Sequence, residues 1–153
     1  MNKKFKSISV TMLILSMLIS FLVPNTTILA ATYSDSHQYS RLVYDGGESG
    51  HLEEITDSSS IPNLNARLFA NAKPVYSVSG NLVAYVTLYY NTTTSGGRTV
   101  FVYDSQFVFD NNPQNGYTGA ITILSVTPDW VKIKYEFANM IGDSGYRELV
   151  FYP

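Results

Sequence analysis

The sequence predicts an all-β protein: an antiparallel meander of about six strands forming a small sandwich or open barrel, preceded by an irregular front segment with one short helix. Three observations carry this. From Val75 to Tyr152 apolar residues recur with a period of two, as strand side chains alternate between faces. Twelve Tyr and eight Phe, with many Val, Ile and Thr, suit a pleated, half-buried surface. Turn-forming stretches such as Gly80-Asn81, Thr127-Pro128-Asp129 and Gly142-Asp143-Ser144-Gly145 punctuate the runs.

The chain starts with Lys3, Lys4 and Lys6, an almost uncharged run from Ile8 to Val23, and Leu29-Ala30-Ala31. This is the layout of a cleaved secretory signal peptide, residues 1–31, and the run is short for a spanning helix. The mature chain is expected to be secreted and extracellular, exported in the Gram-positive style, with no stable membrane anchor after cleavage. No cysteine is present for a disulfide or a lipid attachment. After residue 31 the chain holds seven basic and twelve acidic residues, a formal charge of −5. Nucleic acid is therefore not expected as a partner, because phosphate backbones need a basic face. A length of 122 residues fits one domain.

In the acidic segment 32–73, Ser, Asp, Gly and Asn interrupt every apolar run, and only Leu42-Val43-Tyr44 reads as a strand. Asp45, Glu48, Glu53, Glu54 and Asp57 offer oxygen ligands for a cation. The stretch Asp45-Gly46-Gly47-Glu48 lacks the alternating acids of a calcium loop, so a solvated loop is preferred and no metal site is assigned. His51 with Glu53 or Glu54 makes the one acid–base combination, but no nucleophile can be set beside it and no catalytic residue is assigned. Ile61–Ala72 is expected as the short helix, with Leu64, Leu68 and Phe69 on one side.

The β-domain, 74–153, opens with a strand at Val75 and a Gly80-Asn81 hairpin turn. In the second strand Leu82, Ala84, Val86, Leu88 and Tyr90 form the core face, and Val83, Tyr85, Thr87 and Tyr89 the other. A hairpin closing around Thr94 and Ser95 would set Leu88 opposite Phe101 and Val86 opposite Tyr103, in a third strand running to Phe109. Asp110 to Tyr117 reads as a long turn-rich connection. Strands follow at Ala120–Val126, Trp130–Ala138 and Tyr146–Tyr152. The middle one alternates most cleanly, with Val131, Ile133, Tyr135 and Phe137 inward and Trp130, Lys132, Lys134 and Glu136 outward.

Candidate binding residues are Trp130, Lys132, Lys134, Tyr85 and Tyr89, as a sugar-stacking or protein-contact patch, with Trp130 covering a sheet end as the structural alternative. Met140 and Ile141 are expected to plug the end of the barrel, a membrane or partner contact being the other reading. The function expected is an extracellular binding module whose partner is a cell-wall glycan or an extracellular protein, with no cofactor. Two alternatives are a toxin-like or antimicrobial effector or its antagonist, and a carboxylate hydrolase using Asp104, Glu136 or Glu148. A deep pocket lined by at least two acids would favour the hydrolase, and a flat or shallow aromatic patch the binding module.

Overall fold

A computed structural model describes residues 37–61 and 69–153. The expected signal peptide, 1–31, and residues 62–68 of the expected helix lie outside the described residues. Nine strands are described: β1 (Gln38–Gly46), β2 (Ser49–Glu54), β3 (Phe69–Tyr76), β4 (Leu82–Ser95), β5 (Arg98–Val102), β6 (Val108–Pro113), β7 (Tyr117–Val126), β8 (Val131–Asn139) and β9 (Ser144–Phe151). They form two antiparallel sheets, one ordered β2-β1-β6-β4-β3 with β5 also on β4, the other β7-β8-β9. Among the described residues the fold is an all-β sandwich without a closed barrel.

Strand β4 organises the larger sheet. Its fourteen residues pair with β3 along one side and with β6 and then β5 along the other. The hairpin to β5 closes at Gly96-Gly97, both at positive φ (58° and 77°), rather than at Thr94-Ser95. Phe101 therefore meets Thr92 instead of Leu88, a slip of four residues. An even slip preserves the parity of the side chains; the exception is Val83, expected on the outer face but fully buried beside the bulge where Val75 and Tyr76 pair with Ala84 and Leu82. The expected third strand is then interrupted: Asp104 Oδ1 accepts the Gln106 N–H at 2.9 Å, and Phe107 N–H reaches the Asp104 carbonyl at 3.1 Å. After this loop the register resets and Leu88 meets Phe109.

Three sequence expectations are corrected. The front segment is not irregular: β1 and β2 form a hairpin with Leu42 opposite Leu52, and β1 continues the sheet through Arg41 opposite Val108. Residues 69–72 of the expected helix belong to edge strand β3, where Phe69 meets Tyr90, and where Pro74 needs no ladder donor on its outer side. Asp110, Asn111 and Asn112 are not a connection but the centre of the sheet, in β6, leaving only Gln114 to Gly116 as a turn. A smaller difference is the β3–β4 turn, which has Val78-Ser79 at its centre and Gly80 (φ 84°) closing it onto the Ser77 carbonyl.

The core lies between the sheets and within the compact unit Tyr33–Pro153. Val86, Leu88 and Phe109 of one sheet meet Val131, Ile133, Tyr135 and Phe151 of the other, and the Phe109 and Phe151 rings pack edge to face at 5.5 Å. The face expected for β8 is the buried one.

Candidate functional site

Of the five candidate residues, Trp130, Lys132 and Lys134 lie on the outer side of β7-β8-β9, whereas Tyr85 and Tyr89 lie on the outer side of the larger sheet. Two separate surfaces replace the single patch.

The first surface starts at the β7–β8 turn. Thr127 N–H donates to the Trp130 carbonyl at 2.8 Å, and Trp130 N–H donates to Thr127 Oγ1 at 3.0 Å, so the backbone of Trp130 is held from both sides. The Phe101 N–H docks the turn through the Pro128 carbonyl at 2.9 Å. Trp130 is 39% exposed, so part of the residue faces solvent. Further along β8, Lys132 pairs with Glu148 at 2.5 Å and Lys134 with Glu136 at 3.1 Å. These exposed pairs contribute little stability. Their effect is on the character of the surface, which is a neutral, hydrogen-bonding strip rather than a cationic patch.

Tyr146 and Tyr152, 60% and 58% exposed, share this face. Tyr146 is opposite Glu136, and Tyr152 extends β9 one residue past the Val131–Phe151 pair. They were not singled out from sequence, although they share the parity of Glu148 and Val150, which sit opposite Lys134 and Lys132.

The second surface is centred on Asp110. Its buried carboxylate accepts His37 Nδ1–H at 2.9 Å, and the His37 ring stacks on Tyr39 with centroids 6.0 Å apart. Burial raises the Asp110 pKa above the usual carboxylate value, with His37 pulling the other way. Burial, and then the Asp110 charge, also raise the hydroxyls of Tyr39 and Tyr89. Histidine and aspartate resemble part of a catalytic triad, but His37 Nε2 faces the Asn112 amide at 3.5 Å, so the pair ties β1 to β6 rather than activating a hydroxyl. No local signal marks it, since 73 residues separate the partners.

Because the folded-state pKa of Asp110 is raised, its protonated form is favoured by folding. The stability this supplies below the ordinary carboxylate pKa is lost as pH rises through the folded-state value. Asp110→Asn keeps an acceptor for His37 and removes the buried charge. In urea unfolding across pH 3 to 7 the stability of the variant is expected to fall less, or rise more, with pH than that of wild type, in which the depressed Asp57 and Asp143 carboxylates act in the opposite direction; an identical slope would exclude Asp110 as the origin.

The cavities among the described residues include two beside the β1–β2 hairpin. A cleft of about 360 Å³ opens between the sheets, bounded by Gln38, Ser40 and Glu54 on one side and Gly119 to Ile121 on the other. The Asn111 amide at its floor is satisfied, donating to the Gln38 side chain and the Gly119 carbonyl and accepting from Tyr135 Oη, each at 2.9 Å. A depression of about 180 Å³ holds Glu53, Glu54 and Asp57 with Arg41. Neither cavity contains the hydrolase candidates. Asp104 braces the β5–β6 loop by accepting from Asn91 Nδ2 at 3.0 Å, and Glu136 and Glu148 are paired with lysines on the open face.

His51 sits on the edge hairpin, with Nδ1 3.0 Å from Asp45 and Nε2 3.7 Å from Glu53. Its pKa is raised, first by the Asp45 hydrogen bond. Among the described residues no group of three or more His, Cys, Asp or Glu side chains is placed to hold a metal ion.

Comparison with protein-family models, curated proteins and solved structures finds no match to this chain.

Proposed function

We propose that this protein is a secreted, extracellular binding module that lies on cell-wall glycan through the outer face of β7-β8-β9. The observation that supports the reading is the placement of Trp130, Tyr146 and Tyr152 on one open sheet face, interleaved with the Lys132–Glu148 and Lys134–Glu136 pairs. Aromatic rings offer flat apolar area to the C–H faces of sugar rings and keep a polar tip for hydroxyls. The carboxylates and ammonium groups supply acceptors and donors around them. An open strip suits a polymer lying along it, whereas a small molecule needs a concave site.

Co-sedimentation of the mature protein with cell-wall sacculi tests this. Wild type is expected to pellet, and Trp130→Ala to weaken binding about tenfold or more, as a central aromatic anchor does. A wild type that stays in the supernatant, or a Trp130→Ala protein that pellets equally well, would remove the reading.

A further inference from the structure

At the far end of β8 from Trp130, about 30 Å away for a nine-residue strand, two turns lie side by side. Ser79 Oγ of the β3–β4 turn donates to Asp143 Oδ2 of the β8–β9 turn at 3.1 Å, and Tyr117 Oη donates to the same oxygen at 2.6 Å. The second turn is pinned by Asn139, whose Oδ1 accepts the N–H groups of Ile141 and Asp143 at 3.2 and 2.9 Å, and Gly142 takes φ 89°. These contacts fix the backbone and require nothing apolar at the tips. Yet the tips are Val78, Met140 and Ile141, exposed by 83%, 89% and 91%. Met140 and Ile141 thus plug nothing, contrary to the sequence expectation.

Single exposed apolar residues are ordinary; three on adjacent, braced turns are not. Tyr76 and Tyr146, both exposed, stand where these turns join β3 and β9, as tyrosines do at a boundary between apolar and wet surroundings. Within Ser77–Asn81 and Asn139–Gly145 the only charged residue is Asp143, so no basic group is present to attract anionic lipid. Three side chains present on the order of a few hundred Å², against the roughly 800 Å² each partner brings to a stable protein interface. Lipid needs no matching surface. We propose that this end of the sandwich dips into the neutral lipid–water interface of a membrane, with Val78, Met140 and Ile141 as the inserting side chains.

The test is flotation of the mature protein, residues 32–153, with phosphatidylcholine vesicles. Wild type is expected to float with the vesicles at low and high salt alike. The double variant Met140→Asp/Ile141→Asp, and separately Val78→Asp, are expected to bind about tenfold or more weakly at unchanged melting temperature. Trp130→Ala is expected to float normally, which separates this site from the glycan face. The proposal is overturned if wild type does not float, if the variants float equally, or if binding needs anionic lipid and vanishes with salt. A vesicle-independent dimer that the double variant disperses would equally overturn it, by showing a second copy as the occupant.

Discussion

Ile133→Asn is expected to unfold the protein, while Lys134→Asn, one residue along the same strand, changes its stability by no more than about 0.5 kcal/mol. Ile133 is fully buried in the middle strand of the three-stranded sheet, opposite Ile123 on β7 and Leu149 on β9. Replacing it forfeits an aliphatic side chain from the core, about 2 to 4 kcal/mol. It also buries an amide without partners, at about 1 to 3 kcal/mol. The sum approaches the whole stability of a small domain, about 5 to 15 kcal/mol. Lys134, whose ammonium pairs with Glu136 on the open face, has no comparable burial to lose. Circular dichroism melts of both variants decide the matter: an Ile133→Asn protein that melts like wild type would mean that β8 does not present this face to the core.

Gly119→Ala is expected to cost about 2 to 6 kcal/mol although it adds one methyl group. A Cβ at Gly119 would lie 2.2 Å from Tyr135 Oη and 2.3 Å from the ring carbon that carries it. The Tyr135 ring, from β8, crosses β7 at this point as a diagonal cross-strand neighbour, Ile121 being its direct partner. Its buried hydroxyl, with a pKa pushed up to about 12 by burial, donates to Asn111 Oδ1. Moving the ring costs roughly 1 to 3 kcal/mol of overpacking. Separating the hydroxyl from Asn111 leaves buried polar atoms unpaired, at about 1 to 3 kcal/mol more. A double-mutant cycle in chemical denaturation separates this contact from a general intolerance of β7. In a Tyr135→Leu background Gly119→Ala is expected to cost far less; the same cost in both backgrounds would rule out the ring contact as the cause.

These two residues differ in how they can be read from the chain. Ile133 is legible because a strand with one face in a core must alternate, and alternation is written in neighbouring residues. Gly119 is not, because its reason is a tyrosine on another strand. Likewise Asp110-Asn111-Asn112 carries every local mark of a turn. It forms a central strand because His37, Gln38 and Tyr135, all distant in sequence, satisfy its buried Asp110 and Asn111 side chains. The front hairpin was hidden for the same reason, its short apolar runs gaining their burial from β6 and β7 rather than from length.

The candidate surface divides in the same way. Which residues of β8 point outward, Lys132 and Lys134 among them, follows from parity. That Tyr85 and Tyr89 belong to another surface, and that Tyr146 and Tyr152 join Trp130, depends on which strands share a sheet. The sequence by itself determined the β class, the alternation of β4 and β8 and the faces that survived a four-residue slip, because side-chain direction repeats every two residues whatever the partner. The tertiary structure alone decided strand order, register, the His37–Asp110 and Tyr135–Asn111 contacts and the pairing of the apolar turns. Each of these is a long-range contact, and its free energy exists only once distant segments are brought together.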